Sequence, residues 1–242
     1  MTSLPRAEVP LPFNEFCYGM VVADGVGDTG DGEAASRLAI STLVHLTLHF
    51  GKWDLRIDER IAGEVMTRAE RFYRQTDQIV SERRRMESAS AGMQTTLTAA
   101  YSTGSDCFFA HVGHSQVYLF RDGQLTQMTR NHTVDVGPPV RKRQPTATPV
   151  AEDLQHLLTD AIGAGQAGAL TVDVEHFHLL DRDVLLLCTN GLTDIVPAAR
   201  IEAALERRVT PDEHCQTLLT MALDAGAQDD VTVVMARYSI PA

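Results

Sequence analysis

The sequence predicts an α+β protein built in layers. Three observations predict it. Apolar runs of strand length stand near both ends of the chain and in its middle, two long stretches of helical apolar spacing follow the first of them, and 44% of the 242 residues are hydrophobic. That fraction supports a sizeable core. The order of strand, two long helices, several strands, further helices and a last strand is that of an α+β body.

Residues 1–15 are rich in proline and read as an extended arm. Phe16 to Ala23 reads as a buried strand. Gly32 to Phe50 carries Ala35, Leu38, Ala39, Leu43, Leu46 and His49 at helical spacing, and Asp58 to Met86 is a second long helix, with Ile61, Val65, Met66, Ala69, Phe72, Tyr73, Ile79 and Val80 on one broad stripe. Both stripes read as core faces. Arg83, Arg84 and Arg85 close the second helix, where cations favour the dipole. Strands follow at Gln94–Ser102, Cys107–Val112, Gln116–Arg121 and Gln124–Met128. The last two are joined by Asp122-Gly123, a two-residue hairpin signal. Asn131 to Val150 holds four prolines and Arg141-Lys142-Arg143, and reads as an irregular basic loop. Ala151 to Ile162 is predicted helical, Leu170–His178 and Asp183–Cys188 as strands, and Ala198–Arg207 and Pro211–Ala225 as helices. Thr210 is placed to cap the last helix with Pro211 in its first turn. Asp230–Tyr238 closes a sheet. No internal repeat and no linker divides the chain, so residues 1–242 read as one domain.

The charge balance, 21 basic against 32 acidic residues, gives a net −11. It argues against a nucleic-acid backbone or an anionic membrane as the main partner. Cys17, Cys107, Cys188 and Cys215 are scattered, without a C-x-x-C pair, and read as free thiols, those inside apolar runs as buried ones. No secretory signal and no apolar run of membrane-spanning length is visible. A reducing cytoplasm fits all of this.

The chemistry lies at strand ends. Val21-Val22-Ala23-Asp24-Gly25 and Asp229-Asp230-Val231-Thr232-Val233-Val234 each set a carboxylate at the edge of an apolar run. Brought together, such ends make an oxygen-rich pocket for a hard divalent cation. Leu185-Leu186-Leu187-Cys188-Thr189-Asn190-Gly191 has the same shape but carries an amide.

Five blocks in order, VADGVGDTGDGEAAS (Val22–Ser36), QTTLTA (Gln94–Ala99), AHVGHSQVYLFRDGQLTQMTRNH (Ala110–His132), LLLCTNGLTD (Leu185–Asp194) and DDVTVVMA (Asp229–Ala236), resemble the metal-dependent protein serine/threonine phosphatases of type 2C, in their bacterial branch. The resemblance implies an α-β-β-α sandwich of two antiparallel sheets flanked by helix pairs. It implies two ions, Mn or Mg, weakly held. Asp24 would bridge them, with the Gly25 carbonyl on the second ion, Asp229 on one of them and Asn190 completing that shell. Asp24 and Asp229 are the implied catalytic residues. Two ions roughly 3.5–4 Å apart neutralise phosphate charge and make hydroxide near neutral pH.

Several positions depart from the family's pattern. Asn190 stands where a third metal-binding Asp is usual; it either ligates through its amide oxygen or only makes the turn with Gly191. His114 replaces an Asp associated with a third, weaker metal, and reads as a pocket-lining histidine, since imidazole suits softer ions. Asp28, Asp31 and Asp230 are further acids around the pocket. Thr29 stands near a usual His that protonates the leaving group, a role it cannot fill. The family's opening R-x-x-N-x-D strand, whose Arg binds substrate phosphate, is not identifiable in the 23 residues before Asp24.

The expected function is hydrolysis of phosphoserine and phosphothreonine in proteins, substrates of a serine/threonine kinase, by metal-bound hydroxide. The alternative is a weak or inactive phosphatase-like module that binds a phosphoprotein or regulatory partner. A monomer is expected, in the cytoplasm, with no nucleic acid and no membrane as partner.

Overall fold

The computed structural model describes residues 17–26, 30–52, 56–86, 92–133, 158–165 and 170–240. Eight strands form two antiparallel sheets. In the first, β1 (Cys17–Val22), β2 (Leu97–Thr103), β3 (Asp106–Val112) and β6 (Asp173–His178) lie in the order β1-β2-β3-β6. In the second, β4 (Gln116–Arg121), β5 (Gln124–Gln127), β7 (Val184–Cys188) and β8 (Val233–Arg237) lie in the order β5-β4-β7-β8.

Three apolar layers hold these elements together. Val22, Ala100, Cys107, Phe109, Val117, Leu185, Leu187 and Tyr238 fill the space between the sheets. Helices α1 (Gly30–Phe50) and α2 (Glu59–Met86) cover the first sheet, with Ala35, Ala39, Leu43, Phe72, Tyr73 and Val80 packed on Leu97, Ala110 and Val112. On the second sheet, Leu192 of α3 (Asn190–Thr193), Ile201 and Leu205 of α4 (Ala198–Leu205) and Leu218 and Ala222 of α5 (Pro211–Asp224) pack on Tyr118, Leu186, Cys188 and Val233. The period-2 alternation of a strand explains how β7 serves two layers at once: Leu185 and Leu187 face the other sheet, Leu186 and Cys188 the helices. A strand buried on both faces must be continuously apolar, as Val184-Leu-Leu-Leu-Cys188 is. The α-β-β-α sandwich is thus the observed architecture.

Local chemistry sets the element ends. Asp122 and Gly123, at φ 52° and 81°, turn β4 into β5, both left-handed as that two-residue hairpin requires. Asp58 starts α2 by accepting from the Ile61 N–H at 2.8 Å. Thr210 and Glu213 cap α5 reciprocally, with Pro211 in the first turn. All four cysteines are free; burial pushes the thiols of Cys107 and Cys188 up to about 12, so both are inert.

The expected helix over Ala151–Ile162 needs correction where it is described. Leu158 bridges Thr133 and Ile162 bridges Thr95, with Ile162 N and O both paired to Thr95. Gly163, at φ +87° and donating to Asp77 Oδ1, turns the chain away immediately afterwards. Ala161 and Ile162 are buried by this pairing instead. Residues 1–15, Asp28, Thr29 and the basic loop of Arg141 to Arg143 lie outside the described residues. No helix among the described residues is long and apolar enough to cross a membrane.

Candidate metal centre

The ends of β1, β3 and β7 and the starts of β2 and β8 meet at one end of the sandwich, around a pocket of about 530 Å³ lined by Asp24, Gly25, Thr96, His114, Asn190, Asp194 and Asp229 among others. Asp24 and Asp229 thus converge although 205 positions separate them (229 − 24), with Asn190 lining the same pocket.

Backbone fixes each carboxylate. The Asp24 N–H donates to Thr96 Oγ1 at 3.0 Å, and its carbonyl accepts from the Thr96 N–H and the Thr95 hydroxyl, both at 2.8 Å. Thr96 Oγ1 also shares a 2.7 Å hydrogen bond with Ser115 Oγ. Gly25 lies against Gly32 of α1 so closely that a Cβ on Gly25 would stand 2.2 Å from Gly32 C. Only glycine permits that approach, which presses the start of α1 onto the Asp24-Gly25 turn. On the other side, a Cβ on Gly191 would stand 2.6 Å from the Asp230 carbonyl oxygen. Its absence lets α3 abut the Asp229-Asp230 backbone, where Thr189 Oγ1 donates to Asp230 O at 2.8 Å and accepts from the Thr232 N–H at 2.9 Å.

Asn190 is a donor in this arrangement. Its Nδ2 donates to Asp194 Oδ2 at 2.9 Å and to Asp229 Oδ2 at 3.3 Å, while Asp229 Oδ1 accepts from the Asp230 N–H at 2.8 Å. The amide thereby partly neutralises two carboxylates that would otherwise repel. Asp24 has no such relief. Burial pushes its carboxyl up to about 7, and the charges of Asp229, Asp230 and Asp194 push in the same direction.

His114 is buried and lines the pocket. Gly113, at φ +109°, carries the chain to it, and a Cβ there would collide with the Thr96 side chain at 2.7 Å. Behind it, His111 bonds Thr98 Oγ1 at 2.8 Å and the Arg130 carbonyl at 3.1 Å, and burial holds its imidazole down at about 4, so it is neutral. Asp230 acts on Asp24 through its charge but does not line the pocket. Asp31 sits in the first turn of α1.

Two contributors escaped the sequence reading. Asp194 is an acid of the pocket only because α3 makes one helical turn after Asn190, which brings position i+4 alongside. Thr96 carries no charge to draw attention, yet it anchors Asp24, Ser115 and Gly113 together.

The donors fit a hard divalent cation. Carboxylate, amide and backbone oxygens face one open pocket, no Lys or Arg lines it among the described residues, and burial, then the neighbouring acids, favours the protonated form of its most buried acid.

Comparison with known proteins identifies the family of the chain. The Protein phosphatase 2C family pattern matches residues 14–224. The serine/threonine protein phosphatase PstP of Mycobacterium tuberculosis is 32% identical over 224 residues, 90% of this chain; the chain spans 40% of that protein's length. The serine/threonine phosphatase stp of Listeria innocua is 28% identical over 91% of this chain and 84% of its own length. Among solved structures, the catalytic domain of PstP in complex with two manganese ions superimposes with a TM-score of 0.69 at 28% identity, covering 96% of this chain and 94% of that one.

Proposed function

This chain belongs to the protein phosphatase 2C family, and from that premise we propose that it hydrolyses phosphoserine and phosphothreonine in proteins with the help of two weakly held divalent cations, Mn²⁺ or Mg²⁺. The observation that carries this reading is the gathering of Asp24, Asp194 and Asp229 with Asn190 around one pocket that no Lys or Arg lines among the described residues. Asp24, the Gly25 carbonyl, Asp229 and Asn190 would hold the ions, with Asp194 as an added acid. Bound there, the ions supply neutralisation of phosphate charge and a water acidic enough to ionise near neutral pH.

The chain's own residues set the conditions for that chemistry. Thr95 and Thr96 hold the Asp24 backbone from both sides, so its carboxylate stays aimed into the pocket. Asn190 holds Asp194 and Asp229 apart as a neutral donor; as a ligand it presents its oxygen instead, with one charge fewer than an acid would bring. Thr29 is too weak an acid to protonate a leaving group at neutral pH, so a phenolate, which needs little protonation, leaves more readily than a serine alkoxide.

We read residues 1–242 as one domain acting as a monomer, on substrates made by a serine/threonine kinase. Four free thiols suit a reducing cytoplasm.

Hydrolysis assays test this reading. With excess manganese the protein should cleave p-nitrophenyl phosphate, and cleave phosphoserine peptides more slowly. Asp24→Ala should lower either rate about a thousandfold, since the ions' charge stabilisation is worth several kcal/mol. No turnover on either substrate would overturn the enzyme reading and leave the phosphoprotein-binding module in its place.

A further inference from the structure

At the opposite end of the first sheet, three other donors converge. Asp106 opens β3, and His176 and His178 stand two residues apart on β6, the neighbouring edge strand. The antiparallel register pairs Asp106 with His178 directly. Residues two apart share a face, so both imidazoles point the same way. Asp106 Oδ1 lies 2.7 Å from His176 Nε2 and 3.2 Å from His178 Nδ1, and one ligand atom from each residue falls within 4.8 Å of the others. The run of β3 from Asp106 to His114, at about 3.3 Å per residue, sets this cluster more than about 20 Å from the Asp24 pocket.

We propose that Asp106, His176 and His178 form a second metal site, for a borderline-soft divalent ion such as Zn²⁺. Two imidazoles and one carboxylate are the donor set that such ions prefer and that Mg²⁺ and Mn²⁺ do not. In a tetrahedral shell with metal–ligand bonds of about 2.0–2.2 Å, ligand atoms stand about 3.4 Å apart. The two Asp106–imidazole distances need open by less than about an ångström to reach that spacing. The ion would stand between Asp106 Oδ1 and the two imidazole nitrogens that now lie beside it.

The surroundings favour this. The His176 ring stacks on Phe108, centroids 4.4 Å apart and planes 12° from parallel, which fixes its direction before any ion arrives. Asp106 is 14% exposed and His178 70%, so the anionic ligand is sheltered while an entry path is open. Arg121 donates to the His178 carbonyl, and its charge is answered by two bonds to Asp183. Three protein ligands leave a fourth position to water or an added donor. A bound ion would tie the edge strand β6 to β3.

Zn²⁺ titration of the whole chain by calorimetry tests the site, run in excess Mg²⁺ to occupy the oxygen-rich pocket. Wild type should take up one Zn²⁺ with these ligands, and Co²⁺ in its place should give the visible absorption of a low-coordinate imidazole site. His178→Asn should weaken uptake more than about a hundredfold, above the loss caused by removing even an outer partner of a metal ligand. Asp106→Asn should do the same, and decides the matter if the first variant folds poorly. Both should keep manganese-supported hydrolysis of p-nitrophenyl phosphate. Absence of Zn²⁺ uptake by wild type, uptake that is lost in Asp24→Asn, or uptake that survives in both variants would overturn the proposal.

Discussion

Asp183 and Asp24 are both withdrawn from solvent, at opposite ends of the strand layers, and the chain treats them in opposite ways. Asp183 is 1% exposed and fully answered: Arg121 Nε and Nη2 donate to its two oxygens at 2.9 and 2.6 Å, and the Leu180 N–H adds a third bond at 2.7 Å. Asp24 faces three more acids and, among the described residues, no guanidinium, and its carboxyl is held up at about 7. A buried carboxylate met by a bidentate arginine holds a structure together. One left among like charges is a place where something positive is to arrive.

Removing the answering charge at Asp183 gives the largest expected effect. Arg121→Ala leaves a buried carboxylate alone and should destabilise the fold by about 3 kcal/mol or more, read as a lowered denaturant midpoint, with activity per folded molecule unchanged. If stability were untouched, the contrast between the two sites would collapse.

A second expectation concerns pH. Asp24's carboxyl is raised from 3.8 to about 7 in the fold, so the folded state prefers it protonated. Its contribution to stability is therefore fully present below about pH 4 and lost as pH rises through about 7. Urea unfolding in chelator should show this loss between about pH 4 and pH 7, with no further change above, and Asp24→Asn should flatten it. The same proton competes with a cation, so manganese affinity should climb over that window.

The smallest effect is expected at Asn190. Asn190→Asp replaces a donor that bridges Asp194 and Asp229 with a further acid. It should tighten manganese binding about tenfold while lowering the thermal midpoint of the metal-free protein. Unchanged affinity would show that this position does not face the ion.

Much of this was readable in the chain and some was not. Asp122-Gly123 and the Thr210 cap are local devices, decided by neighbours in sequence, and both formed as expected, the cap with Glu213 as an added reciprocal partner. Strand ends in Asp-Gly and Asn-Gly mark turns, so the meeting of Asp24, Asn190 and Asp229 could be anticipated once their blocks were aligned with a family. Asp194 could not, because its position depends on one turn of α3 that no periodicity announces. Leu158 to Ile162 misled for the opposite reason: burial beside Thr95 imposes apolar residues there without a helix. The pairing of Arg121 with Asp183 and the cluster of Asp106 with His176 and His178 rest on strand register, which single residues do not reveal.

Calorimetric titration of Mn²⁺ into the metal-free chain, beside Asp24→Asn, tests most directly that a cation completes the acidic pocket. Two ions should bind wild type, with an affinity that Asp24→Asn lowers more than about a hundredfold by removing the bridging charge. Equal binding by both proteins, or none by wild type at millimolar manganese, would contradict it.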